Sequence, residues 1–381
     1  MLILAGVTIA TLTGDNGILT RAQEAKNKTE QAQKDEENIL NSYEDQINEY
    51  AGIDWDTVLA NAQKHPDQKI STAIGVGTDG KAVNMDLWEY SKLDDGTYAL
   101  NDEEAVATTI GGTAGYKEEI VDGKIQGTIP QYIKDISDEE FKPVTNLKYL
   151  FASMDLLEAP KIPDTVTNMY GTFTTTKITK MPIIPNGVTN MYGTFAHCTN
   201  LTETCTIPDT VTNMYGTFID CLSLINAPEI SSNVSNMQAT FSGCTSLTTA
   251  PEIPNSVTNM QTTFRYCTSL INAPIIPESV INMRNTFEGC TALVTAPIIP
   301  SSVTVLVYTF KGCSNLQGSI EINANVTGEI LGEEYGNNID YWHCLFEATT
   351  NPGISLKVTG SCPILQKIVE DANNPNITLG V

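Results

Sequence analysis

Residues 247–269 read LTTAPEIPNSVTNMQTTFRYCTS, and residues 270–292 read LINAPIIPESVINMRNTFEGCTA. Aligned end to end, the two segments keep Leu, Ala-Pro, Ile-Pro, Val, Asn-Met, Thr-Phe and Cys at the same offsets. The pattern extends in both directions. Its Val recurs at Val144, Val166, Val188, Val211, Val234, Val257, Val280 and Val303, in steps of 22 or 23 residues. Phe follows seven residues later each time, from Phe151 to Phe310, and a Cys stands three further on at Cys198, Cys221, Cys244, Cys267, Cys290 and Cys313. A unit this short cannot bury an apolar face alone, but identical units stacked side by side share one continuous core. The expected inward set is Val, Met, Phe, Cys, Leu, Ala and Ile. Parallel strands on successive turns lie about 4.8 Å apart, so eight turns predict a rod on the order of 40 Å long.

Two prolines per unit limit the strands, because proline cannot donate to a sheet ladder. The spacing predicts one short strand near Leu-x-x-Ala, a second near Ser-Val-Thr-Asn, and a helical turn across Thr-Phe-x-x-Cys. The Asn of Val-Thr-Asn-Met, from Asn146 to Asn282, is read as a structural ladder that bonds to the backbone of the neighbouring turn. The Thr before each Phe, from Thr172 to Thr309, is a second ladder or a cap for the helical turn.

The repeated cysteines admit a disulfide framework, a metal column or a small apolar filler. A spacing of 23 residues matches no zinc cluster, and His65, His197 and His343 are scattered away from it. Like thiols facing the same way also supply no reason for specific pairing. They are read as filler, since free Cys is among the most buried residue types.

Leu-x-x-Ala-Pro-x-Ile-Pro-x-Ser-Val-Thr-Asn-Met-x-x-Thr-Phe-x-x-Cys resembles the 23-residue units of BspA-like leucine-rich-repeat surface proteins of bacteria, over about residues 144–316. The added Pro after Ala, and Phe seven rather than eight residues after Val, depart from that pattern. The resemblance implies a solenoid displayed outside the cell that binds host or neighbouring-cell macromolecules without catalysis.

The flanks read differently. Residues 1–143 carry 27 acidic and 12 basic residues, residues 144–316 carry 10 and 7, and residues 317–381 carry 8 and 2. The overall charge of −24 is therefore concentrated outside the repeats. Such an excess argues against nucleic-acid or anionic-membrane partners, whose binding rests on cations. Met1 to Leu12 is an uncharged run too short to span a bilayer. Ile18 to Tyr50 has a sparse apolar stripe at helical spacing. LILAGVTIATLTGDNGILTRAQEA is similar to the N-terminal helix of type IV pilin-related proteins, and is read as a cut-down membrane or pilus anchor, against a soluble chain with an apolar start. Residues 51–140 are expected to form a small α+β domain, with a helix over residues 55–64 and turns at Asp79-Gly80, Asp95-Gly96 and Asp122-Gly123. Gly75 to Gly80 matches G-x-G-x-x-G, but strand-like residues follow where dinucleotide binding needs a helix. After Leu316 the repeat decays into a degenerate turn and a C-terminal cap with a helix over residues 363–372.

The expected fold is thus α+β: a leucine-rich-repeat solenoid of about eight turns over residues 141–320. It is preceded by a long helix (1–50) and a small domain (51–140), and followed by a cap (321–381). No motif for a nucleophile, a phosphate or a metal is found, so neither an enzyme nor a cofactor is expected. The acidic clusters lack the spacing of a calcium loop. The residue after the repeat Met is Tyr170, Tyr192 and Tyr215, then Gln238, Gln261, Arg284 and Val307. The three tyrosines would form an aromatic stripe, either a packed ladder or a surface for protein or glycan ligands. Arg265 and Arg284, rare cations on an acidic chain, are candidate contacts beyond it. The expected function is an adhesin-like binding protein, secreted or on the cell surface, with a pilin-like structural subunit as the alternative.

Overall fold

The computed structural model describes Lys26, residues 73–100, Tyr116, and residues 120–135, 137–322, 354–358 and 379–380. The proposed pilin-like helix, the helix over residues 55–64, the degenerate turn and the helix over residues 363–372 lie outside the described residues, apart from Lys26 itself.

Strands Ile74–Gly77, Pro130–Lys134, Lys142–Asn146, Tyr98–Ala99 and Ser91–Lys92 follow one another across one sheet. Gly75 and Gly77 lie inside the first of these strands, so the fingerprint glycines do not open a helix there. The hairpin at Asp95-Gly96 closes as expected: Gly96 has φ 85°, and Asp95 accepts from the Thr97 N–H at 2.9 Å and its hydroxyl at 2.6 Å. At Asp122-Gly123 both residues have positive φ between the bridged Val121 and Lys124, the requirement of a tight two-residue hairpin.

This sheet starts the solenoid. Tyr98 and Ala99 pair in parallel with Val144 and Asn146, and the Asn146 column then continues as single parallel bridges through Asn168, Asn190, Asn213, Asn236, Asn259, Asn282 and Val305. A second column runs Asn226, Thr249, Asn272, Thr295. Both lie where short strands are expected, but each is reduced to one bridging residue per turn. Beyond the last full turn, Gly318–Ile322 pairs in parallel with Ile354–Val358, which pairs with Leu379–Gly380.

The arc across Thr-Phe-x-x-Cys is not helical. Its N–H groups bond either three residues back or to the next turn. Met169, Gly171, Phe173 and Thr175 donate to the carbonyls of Asn190, Tyr192, Thr194 and Ala196 at 2.7–3.0 Å. Two positions per turn are left-handed: Gly171, Gly193, Gly216, Ala239, Thr262, Asn285 and Tyr308 at the first, with His197, Asp220 and Tyr266 among those at the second. A left-handed residue breaks an α-helix, and here it turns every second peptide along the stacking direction. Gly suits the first position where space is also short, since a Cβ on Gly171 would stand 2.4 Å from the Tyr149 ring.

The inward set is as expected except for the Ala of Ala-Pro, which is only partly buried at Ala159, Ala227, Ala250, Ala273 and Ala296 because it stands at the margin of the core. Every repeat Val, Phe, Cys and Leu from Val166 to Cys313 is buried. The eight Phe rings stack at centroid distances of 5.5–5.7 Å, and Trp88 and Tyr116 cover the first of them, Phe151. The Thr before Phe forms a ladder, its buried hydroxyl donating to the Met carbonyl of the preceding turn, as Thr194 does to Met169 at 2.8 Å and Thr263 to Met237 at 2.9 Å.

The Asn ladder differs from expectation in its partner. The side-chain oxygen accepts from the backbone N–H two residues on, as Asn168 does from Tyr170 at 3.0 Å. The amide donates to the side chain below, as Asn190 does to Asn168 at 3.3 Å and Asn259 to Gln238 at 3.1 Å. The Asn backbone carbonyls are already taken by the Met N–H groups, which leaves the side chains to one another.

Candidate functional site

The tyrosine column is a stack. Tyr170 and Tyr192 lie parallel at 4.3 Å, Tyr192 and Tyr215 at 4.5 Å. Tyr149 closes one end edge-on at 5.1 Å, and the Lys148 ammonium lies over the Tyr170 ring at 5.4 Å. Neither was visible as a member of the column, because the first unit places Lys148 where the others have Tyr; the pair Lys148-Tyr149 was the available signal. Each ring is half-buried. Burial, reinforced by neighbouring hydroxyls, pushes the Tyr192 phenol up to about 12 and also raises that of Tyr170. With the inner faces consumed by stacking, the column offers ring edges and hydroxyls.

The two arginines part company. Arg284 continues the tyrosine column, after Gln238 and Gln261. Arg265 belongs to a different column, one residue after Phe264. Its Nε meets Glu288 Oε2 at 2.7 Å and its guanidinium lies over the Tyr266 ring at 4.6 Å. Glu288 is buried and also accepts from Asn285 Nδ2 at 2.6 Å. Arg265 thus holds together two turns of the wall. The structure brings Tyr170, Tyr192, Tyr215 and Arg284 into one line and leaves Arg265 outside it.

All six ladder thiols are free and buried. Each donates to the Phe carbonyl of the preceding turn, as Cys198 does to Phe173 and Cys290 to Phe264, both at 3.0 Å. Burial pushes Cys198 up to about 11 and Cys313 up to about 12, and the four between them upward as well. Such thiols are not nucleophiles at neutral pH.

Two grooves lie along the Ala-Pro-x-Ile-Pro segments. One, of about 890 Å³, runs beneath the Asp122-Gly123 hairpin and is lined by Leu157, Lys161, Met181 and Ile183 among others. Exposed ion pairs stand at its edge, Lys124–Glu158 at 2.5 Å and Lys180–Glu203 at 3.1 Å. The other, of about 540 Å³, is lined by Asp209, Glu229, Glu252 and the isoleucines between them. No group of three or more potential metal ligands occurs among the described residues.

Against known proteins, the sequence matches the BspA-type leucine-rich repeat region in six copies, over residues 125–248, 170–294 and 216–333. These overlapping matches run from 125 to 333, more than half of the chain. The chain belongs to the BspA-type leucine-rich-repeat family. Among solved structures, the BspA-type solenoid here is similar to a leucine-rich repeat protein of T. pallidum (21% identity, 61% of this chain and 90% of that one, TM-score 0.38). It is also similar to a leucine-rich cell surface protein of Faecalibacterium prausnitzii (17%, 75% and 97%, TM-score 0.29) and to the pneumococcal vaccine antigen PcpA (10%, 66% and 88%, TM-score 0.32). No curated protein matches the chain.

Proposed function

We propose that this BspA-type protein is a non-enzymatic binding protein, secreted or held at a bacterial cell surface, that recognises extracellular protein or glycan through the outward columns of its solenoid. One observation carries the reading: the inward positions repeat from turn to turn, while outward positions of the same turns vary. The column after Met runs Tyr, Tyr, Tyr, Gln, Gln, Arg before ending on the buried Val307, and the column before the repeat Ile runs Lys, Ile, Thr, Glu, Glu, Ile, Ile. A constant core with a varied exterior is how a solenoid presents an extended recognition surface. The surface location is supported by the family and by the F. prausnitzii relative, which is a cell surface protein.

The alternative, a pilin-like subunit, rests on residues 1–50 and gains no support from the family match, which begins at residue 125. The binding reading is tested by probing the full chain on an array of extracellular-matrix proteins and glycans, alongside the triple substitution Tyr170→Ser, Tyr192→Ser, Tyr215→Ser. Saturable binding by the native chain is expected, and its loss in the triple variant would assign the ligand to the tyrosine column. Signals no greater than those of an unrelated acidic protein would contradict the proposal.

A further inference from the structure

We propose that the outward residues of the Ala-Pro-x-Ile-Pro segments form one docking band, whose occupant is an extended cationic polypeptide segment with aliphatic residues on either side. The inference rests on the binding reading above and gives that binding a place and a partner chemistry.

The band is continuous. In every segment the Ile after x is buried and x itself is exposed, so each turn contributes one outward side chain: Lys161, Ile183, Thr206, Glu229, Glu252, Ile275 and Ile298. Parallel bridges three residues before x, at Asn226, Thr249, Asn272 and Thr295, hold these turns in register. The two grooves described above lie on this line, the larger at Lys161 and Ile183 and the smaller at Thr206, Glu229 and Glu252.

Two features of the line point to a partner. Ile183, Ile275 and Ile298 are 85%, 89% and 56% exposed. Ile183 lines the larger groove and Ile275 and Ile298 stand on adjacent turns of one column, so apolar side chains adjoin the acidic groove on both sides, and contiguous exposed apolar surface of this kind marks contact sites. Between them stand Glu229 and Glu252 on adjacent turns, with Asp209 on the same groove wall and no Lys or Arg lining that groove. Charge complementarity therefore calls for cations at the centre and apolar side chains at the ends. A second copy of this chain would bring another −24 charges, which disfavours self-association. The column holds no aromatic ring to receive a sugar face, which favours a polypeptide over a glycan.

Spacing fixes the register of the occupant. Ile183 to Ile275 is four turn steps, roughly 19 Å at about 4.8 Å per turn. An extended chain rises about 3.3 Å per residue and points alternate side chains to one face, so seven residues cover about 20 Å with positions 1, 3, 5 and 7 facing the band.

The test is calorimetric titration of the full chain with the acetylated, amidated heptapeptide Ile-Thr-Lys-Thr-Lys-Thr-Ile. Three comparisons accompany it: the same peptide with Glu for Lys, the same with Ser for Ile, and the double variants Glu229→Gln/Glu252→Gln and Ile183→Ser/Ile275→Ser. The substituted residues are exposed, so an unchanged urea midpoint confirms that each variant folds. Saturable binding of the first peptide is expected, weakened at least tenfold by either double variant and by 0.5 M salt, and absent for the Glu peptide. Failure to bind the Lys peptide, or equal affinity for Lys and Glu peptides, or an affinity untouched by Glu229→Gln/Glu252→Gln, would overturn the band. The matrix array separates this from the broader reading. If the Gln double variant keeps full array binding, the band is wrong and the binding function stands; if the native chain binds the Lys peptide but nothing on the array, the band stands and the broader reading falls.

Discussion

Phe264 is wholly buried and stacked on Phe241 and Phe287, each at 5.7 Å. Phe264→Ala removes a ring that two neighbouring turns cannot both collapse onto, and should cost roughly 3 to 5 kcal/mol in urea unfolding. A loss below about 1 kcal/mol would place the ring outside the core. The thiols make a sharper prediction through pH. A cysteine ionises near 8.5 in an unfolded chain, whereas burial raises all six ladder thiols in the folded one. Their contribution is fully present below about pH 8 and is lost as pH rises, because the unfolded state then holds fewer protons. At each of the six sites the unfolded chain then holds fewer protons than the folded one, so their losses add. Urea midpoints measured from pH 7.5 to 10.5 should fall steeply. Thiols paired as disulfides would not titrate, and the profile would lack this slope.

At the scale of the turn, the left-handed positions decide the shape of the arc. Ala239 holds φ 57° at a position that Gly occupies in three earlier turns. A left-handed L-residue is disfavoured by roughly 1 to 2 kcal/mol, so Ala239→Gly should raise stability by about 1 kcal/mol, less the entropy Gly loses on folding. Thermal unfolding would show it, and a destabilised variant would mean that the methyl packs well enough to offset the strain. This arc is also where sequence reading stopped. The spacing of Val, Phe, Cys and Leu revealed the repeat, the inward set and the two bridging columns, because burial leaves a periodic trace. The left-handed position left a weaker one: Gly171, Gly193 and Gly216 mark it, but Ala239, Thr262, Asn285 and Tyr308 hide it. The repeat spacing therefore suggested a helical turn. The candidate site was legible in part, since the column after Met was visible. That Arg265 pairs with Glu288 depends on a contact between turns 23 residues apart that no local pattern encodes, although the repeat period would have aligned them.

For the molecule as a whole, stacking makes stability a sum over turns and their interfaces, and the small domain supplies the first interface. The Leu100 N–H donates to the Asn146 carbonyl at 3.0 Å, as the N–H of Leu147 or of the repeat Met in the preceding turn does to the same carbonyl of each later turn. The sheet carrying Tyr98–Leu100 therefore acts as the solenoid's N-terminal cap, and along the sequence the acidic excess lies outside the nearly neutral repeats. One rule then governs the rod: the constant part of each turn builds it, independently of the outward residues. It is tested most directly by deleting one whole unit, residues 247–269, which joins Ser246 to Leu270 in register, and comparing its urea unfolding with that of a 20-residue deletion, residues 247–266. One cooperative transition at a modestly lower midpoint is expected for the first and no cooperative transition for the second. Equal damage from both deletions would contradict it.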